Sequence, residues 1–519
     1  MKFTVDEVIA ATDGRLLASA APAPSASIST DSRTIGRGET FLALRGERFD
    51  GHDFLVAASR RGASCLVVSR SGPLADLNGS AGPYGSGLNK DRPAVVRVGD
   101  TMDALAGLGR AARARLDCPV IAVTGSCGKT TVKEMIGQIL GRRFRGRTPP
   151  ASFNNQIGVP LTLLAAEQGD DFVICEFGTN APGEIARLAS IARPTVAVVT
   201  MVGPVHLEGL VSIEGVAREK AALVESLDEK GVAILNADDP RVAAMADLCR
   251  GSVVTVGAGE GADVRVEDVV QTERSLSFAI EKVGFEMPVL GAHQAILAGE
   301  AAAAAREVGV PLEESAAVLR RFRPPPMRLA REEVGGVTLL NDAYNANPVS
   351  MAAALDLLGL WPERRKVFFC GDMRELGAES RAAHEELGRQ AVRANVSRLV
   401  CVGPESRATA AAAVALRPTS SPGGPASGGQ GAPEHGRGVA AGLPRASVKW
   451  VPDSTVAATV VPSLVQDGDV VLVKGSRAIH MERVAKAVAE HGTALRSPPA
   501  TSAGGEETRN AASRTDAAP

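Results

Sequence analysis

Val120-Ile-Ala-Val-Thr-Gly-Ser-Cys-Gly-Lys-Thr-Thr-Val-Lys133 decides how the rest of the chain reads. Its apolar, β-branched start predicts a strand buried on both faces, its glycines a tight turn, and Lys129-Thr130-Thr131 the opening of a helix. Such a turn directs the backbone N–H groups of Gly125, Ser126, Cys127 and Gly128 at phosphate oxygens, with Lys129 as a point charge and Thr130 as a magnesium ligand. A glycine-rich turn without ligand is the alternative. The general phosphate-loop pattern has its first glycine where Val123 stands, which disfavours many enzymes of that class.

Further buried strands follow: FVICEFG (172–178), TVAVVTM (195–201), VAILNADD (232–239) and VVTVG (253–257). Helical segments separate most of them, the pattern of a parallel doubly wound sheet. Ligands of such a sheet collect outside the carboxyl ends of its strands. Glu176 and the loop carrying His206 therefore belong on the rim that holds Lys129 and Thr130. A carboxylate suits magnesium; His206 by position reads more readily as a surface loop histidine than as a ligand, because magnesium seldom takes imidazole.

The organisation is α/β throughout, in three domains. Residues 1–115 form a small α/β unit with strands TFLAL, CLVV and AVVRV, a helix at 53–61 and a Gly/Ser/Pro-rich loop at 71–93. Residues 116–325 form the central phosphate-loop unit. Residues 326–491 form a Rossmann-like unit with strands VTLLND, KVFFCGD, RLVCVG and DVVLVKG, in which 417–445 is a low-complexity insertion. The insertion and a tail at 492–519 have too little apolar surface to order themselves.

At 519 residues the chain exceeds one hydrophobic core, and its 45% apolar and 22% charged residues are ordinary for a globular protein. A net charge of -2 offers no field for nucleic acid or an anionic membrane, so small molecules are the expected partners. Seven scattered cysteines, Cys65, Cys118, Cys127, Cys175 and Cys370 among them, suggest reduced thiols and a cytoplasmic location. The start, with Asp6 and Glu7 soon after Met1, lacks the order of a signal peptide. No apolar run is long enough to span a membrane.

TGSCGKTT, SFNNQIGVPLTLL, EFGTNAPGEI, PVHLEG with REKAALVESL, NDAYNANPVSM, GDMRELG and VLVKGSR together resemble the Mur ligase family, across residues 28–490 apart from the insertion. NDAYNANP and GDMRELG are closest to its D-alanyl-D-alanine-adding branch. The resemblance implies ATP, Mg2+ and a lysine carbamate formed from carbon dioxide. It also implies UDP-N-acetylmuramoyl-tripeptide and D-alanyl-D-alanine as substrates; a monomer is expected, although the sequence leaves the oligomeric state open. STDSR (29–33) and RGERFDGHDF (45–54) resemble the uridine diphosphate site, giving Ser32, Arg33, Asp50 and His52; otherwise they are polar turns. Asn154 and Asn155 match contacts to the muramoyl-peptide.

Lys220 matches the carbamylated lysine, and Glu176 and His206 the metal positions beside Thr130. Arg328, Asp342, Tyr344 and Asn345 match nucleotide contacts, while Lys474, Ser476 and Arg477 match substrate or phosphate contacts. Asn347-Pro348 independently reads as a helix N-cap followed by proline at N1. In the family's His-Asn-x-x-Asn helix near adenine, this chain keeps His293 but carries Gln294 and Leu297 for the two asparagines. The expected catalytic set is Lys129, Glu176, His206, Lys220 and Arg328, acting through an acyl phosphate. A sibling amide ligase, a folylpolyglutamate synthetase, a phosphate-loop kinase or regulatory NTPase, and a non-catalytic nucleotide-binding scaffold remain the alternatives.

Overall fold

The computed structural model describes residues 1–18, 26–46, 49–70, 93–150, 152–415 and 447–496. The insertion expected at 417–445 lies outside them. Of the tail expected at 492–519, residues 492–496 belong to helix Glu482–Arg496, and the rest lies outside the described residues.

Three sheets organise the chain. The first orders its strands Arg15–Ala18, Ala94–Arg97, Cys65–Val68, Thr40–Leu42 and Ile28–Ser29, antiparallel only in the first pair. The helix expected at 53–61 is split into a 3-10 turn at Gly51–Phe54 and an α-helix at Leu55–Arg60. Helix Thr101–Arg113 starts at Asp100, whose carboxylate accepts from the Met102 and Asp103 N–H groups. Its apolar face joins the first unit to the central one in a shared core that runs from Phe3 through Leu105 and Val120 to Val199.

The central sheet has nine strands, ordered Val283–Met287, Leu276–Ile280, Val264–Gln271, Ser252–Gly257, Val232–Asn236, Val196–Val199, Val120–Thr124, Phe172–Glu176 and Gly146–Arg147. All pairs from Val264–Gln271 onward are parallel, and an antiparallel edge closes the other end. Val120–Thr124 lies centrally and is wholly buried, as its unbroken apolar run requires. Its second face packs under Lys129–Gly141 and the alanine-rich helix Gln294–Glu307, where small side chains allow close helix approach.

The third sheet runs Ala330–Val334, Val337–Asp342, Val470–Lys474, Lys366–Gly371, Arg398–Val402 and Val448–Val451, parallel except for its first pair. Asn347 caps helix Pro348–Asp356 in a reciprocal box with Ser350, with proline at N1 as expected. All seven cysteines are free thiols. Among the described residues no helix is long and apolar enough to cross a membrane.

Candidate active site

The carboxyl ends of the central and third sheets face one another across a cavity of roughly 530 Å³. On the central side it is lined by the turn Ser126–Thr131, Asn154, Asn155, Glu176, His206 and the helix start His293–Gln294. Arg328, Asp342, Tyr344, Asn345, Lys474 and Arg477 line the other.

Backbone geometry explains the glycines of the turn. Gly125 has φ +146° and Gly128 φ +86°, and a Cβ on Gly125 would sit 1.9 Å from Thr200 Oγ1. Gly128 precedes helix Lys129–Gly141 with no side chain capping its N–H groups. Those donors stay available for an anion, which the helix dipole also favours. Lys129 Nζ donates to the Gly125 carbonyl at 2.6 Å. Burial lowers the Lys129 pKa, while the Glu176 charge opposes the shift.

Glu176, at the end of its strand, is the hub. Its Oε2 accepts from Thr130 Oγ1 at 2.9 Å and its Oε1 from Asn154 Nδ2 at 3.1 Å. Arg328 Nη2 donates to Thr130 Oγ1 at 2.9 Å, so the third domain reaches the phosphate loop directly. The Arg328 guanidinium lies over the Tyr344 ring at 4.1 Å, and the Tyr344 hydroxyl donates to Ser152 Oγ at 2.7 Å. Asn347 Nδ2 donates to Cys127 Sγ at 3.0 Å. Lys474 Nζ donates to Asp342 Oδ2 at 2.5 Å and to the Asn345 carbonyl at 3.0 Å.

Lys220, on helix Ile213–Glu225, is only 2% exposed and is not among the residues that line the cavity. It forms no hydrogen bond or ion pair among the described residues, and desolvation, aided by the Lys129 charge, lowers its pKa to about 7. His206 adopts φ +54° and hydrogen-bonds through Nδ1 to Glu375 of the third domain. Desolvation also lowers the His293 pKa. Leu297 lies against Gly128, 2.7 Å from where a Cβ would stand, and the buried Gln294 Oε1 has no partner. An asparagine at 297 would therefore face the turn itself.

Other expected contacts stand apart. Asn155 lines the cavity, yet its Oδ1 accepts from the Ile157 and Gly158 N–H groups and so starts helix Gly158–Ala165. Ser476 is buried, donates to the Ala346 carbonyl at 3.3 Å and accepts from the Arg374 N–H at 2.9 Å, which makes it a loop brace. Ser32, Arg33, Asp50 and His52 do not line the cavity. Arg33 is spent on Asp31, whose pKa is pushed down to about 2 by that arginine. The His52 ring is buried between Asp50 Oδ1 at 2.6 Å and the Ser69 N–H at 2.9 Å, a satisfied core histidine.

Reasoning from sequence missed Lys133. Its side chain is wholly buried, donates to the Pro149 carbonyl at 3.0 Å, and lies 3.0 Å from Glu134 and 3.9 Å from Glu176. Nothing local marked it: Lys133 is the fifth residue of helix Lys129–Gly141, past the first turn in which the dipole would single out a cation.

Among the described residues no three His, Cys, Asp or Glu side chains cluster as a metal cage. Magnesium needs none: it keeps several waters and takes one or two carboxylates with nucleotide phosphates. The buried Thr130–Glu176 pair beside the open turn offers the oxygen donors that it prefers.

Similarity to known proteins agrees with this geometry. Residues 123–305 match the Mur ligase middle domain, 327–477 the Mur ligase glutamate ligase domain, and 25–113 the Mur ligase family catalytic domain. A UDP-N-acetylmuramoyl-tripeptide--D-alanyl-D-alanine ligase of Mycobacterium bovis is 37% identical, over 88% of this chain and 91% of its own. The chain is a Mur ligase.

The Escherichia coli protein of the same name is 34% identical to the ligase, over 90% and 94% of the two chains. A crystal structure of MurF from Acinetobacter baumannii superposes with a TM-score of 0.78 at 28% identity, covering 94% of this ligase and 99% of that chain. MurF from Thermotoga maritima in complex with ADP gives 0.71 at 26% identity, over 90% and 98%. The three-domain α/β expectation holds for the ligase, and membership of the family sets aside the kinase reading.

Proposed function

We propose that the ligase joins D-alanyl-D-alanine to the terminal carboxylate of UDP-N-acetylmuramoyl-tripeptide, converting ATP to ADP and phosphate and giving UDP-N-acetylmuramoyl-pentapeptide for peptidoglycan synthesis. Relatives bearing that name support the substrates. The observation that carries the chemistry is the Thr130 hydroxyl, held between Glu176 of the central domain and Arg328 of the third. The working unit is taken as a monomer in the cytoplasm.

A carboxylate is a poor electrophile until one oxygen becomes a leaving group. The amides of Gly125–Thr131 would hold the phosphates and Lys129 would attract the β- and γ-oxygens. A tripeptide carboxylate oxygen attacks the γ-phosphorus, and its bond to ADP breaks. Arg328 would offset charge on the transferring phosphoryl group. The D-alanyl-D-alanine amine then attacks the acyl carbon of the resulting acyl phosphate; phosphate leaves and the amine loses its proton. Asn154 would hold the peptide near Glu176, with Arg477 at the opposite wall. Tyr344 and Asp342 are assigned to the nucleotide, Tyr344 braced by Arg328 and Asp342 by Lys474.

Thr130, Glu176, His206 and a carbamylated Lys220 would hold Mg2+, which when bound screens charge between the phosphate and the incoming carboxylate. A lysine whose pKa falls to about 7 has a neutral amine available for carbon dioxide, and that supports the carbamate. Ser32, Arg33, Asp50 and His52 stay assigned to the UDP end on resemblance only; the hydrogen bonds of Arg33, Asp50 and His52 favour a scaffolding part for those three.

An isotope experiment tests the acyl phosphate. Tripeptide substrate carrying oxygen-18 in its terminal carboxylate should pass one labelled oxygen to the released phosphate. Unlabelled phosphate would overturn the mechanism.

A further inference from the structure

The loop Gly371–Gly377, which carries GDMRELG, is not used by the mechanism above. It is pinned from all sides. Asp372 donates its N–H to the Val402 carbonyl, accepts from the Ser476 N–H at its own carbonyl, and takes the Ser406 N–H on Oδ1 at 2.8 Å. The Met373 N–H donates to His384 Nε2 at 3.1 Å, and the Arg374 N–H to Ser476 Oγ at 2.9 Å.

The next residue reaches across the domain boundary. Glu375 adopts φ +65° and its carboxylate meets His206 Nδ1, while His206 itself has φ +54°. Two non-glycine residues in left-handed conformations meeting at one contact are a strained arrangement that the surrounding fold must offset. Gly377, also left-handed, packs beside Glu208 two residues beyond His206. The rigid loop thus grips the His206 turn from the third domain.

A carboxylate on Nδ1 fixes the proton there, orients the ring and leaves the Nε2 lone pair available, as outer carboxylates do for metal-binding histidines. We propose that Glu375 is a positioning residue that presents the His206 imidazole to the cation site, so that the site is complete only when the third domain is seated. The inference rests on the metal assignment of His206.

The test measures Mn2+ affinity by electron paramagnetic resonance in the full chain saturated with a non-hydrolysable ATP analogue. Wild type is compared with Glu375→Ala, Glu375→Asp, His206→Ala and the double alanine variant. Loss of an outer carboxylate typically weakens metal binding 10- to 100-fold. Glu375→Ala is expected to weaken Mn2+ at least ~10-fold, Glu375→Asp to recover part of this, and the double variant to match His206→Ala. Glu375→Ala affinity within about two-fold of wild type, where His206→Ala is weakened, overturns the positioning role and spares the metal assignment. Unchanged affinity in His206→Ala overturns both. Melting curves confirm folding, and Glu375→Gln, which keeps shape and loses charge, replaces any variant that fails to fold.

Discussion

Replacing Lys220 by alanine tests the least ordinary feature of the site. An unperturbed lysine of pKa 10.5 is neutral in only about one molecule in 3,000 at pH 7, whereas one shifted to about 7 is neutral in about half. Burial therefore raises the amine available to carbon dioxide by roughly 1,000-fold. Without the resulting anion, turnover should fall at least ~100-fold, the scale of one preorganised electrostatic contact. Millimolar acetate or formate should restore part of the rate in a coupled ADP-release assay, by filling the vacated space with a carboxylate.

Stability supplies an independent reading. In carbon-dioxide-free buffer the folded-state pKa of Lys220 is depressed, so between pH about 7 and 10.5 the unfolded chain binds more protons. Wild-type stability should rise with pH through that window, with the burial penalty present in full below it. Lys220→Ala should lose that slope and be no less stable at pH 7, since Lys220 has no hydrogen bond to lose among the described residues. A variant that is fully active without additives, or folded but inactive and unresponsive to carboxylates, would refute the reasoning.

Three further outcomes are expected. Lys129→Ala should lose at least ~100-fold in rate with an unchanged melting temperature and no carboxylate rescue; more than half the wild-type rate would withdraw its phosphate role. Gly125→Ala should lose nucleotide binding, because its Cβ would lie 1.9 Å from Thr200 Oγ1 at φ +146°; isothermal titration with ADP reads this, and wild-type affinity would contradict it. His52→Ala should lower stability by about 1–3 kcal/mol, by stranding Asp50 and the Ser69 N–H, while leaving the KM for the UDP-substrate unchanged. A raised KM at constant stability would return His52 to the substrate site.

The central parallel sheet was legible because strands buried on both faces read as unbroken apolar runs, as in Val120–Thr124 and Phe172–Glu176. Its antiparallel edge was not, because Val264–Gln271 and Val283–Met287 interleave polar residues; nor was the parallel strand Gly146–Arg147 at the opposite edge, which is only two residues long. The phosphate turn, Glu176 and the Asn347 cap followed from local chemistry. Arg328, Asp342 and Lys474 needed the family resemblance, since a contact across 198 residues, such as Arg328 to Thr130, leaves no periodic trace. His52 and Ser476 came from the family resemblance alone, and in the structure their hydrogen bonds brace loops. Nothing local marks Glu375, whose partner lies 169 residues away.

The most direct measurement is the mass of the product formed by purified protein with UDP-N-acetylmuramoyl-tripeptide, ATP, magnesium, and D-alanine and D-alanyl-D-alanine in competition. The expected result is the pentapeptide mass, gained as one dipeptide unit, with one ADP released per amide formed. A product carrying a single alanine, a stable phosphorylated acceptor, or ADP released without an amide would contradict the assignment.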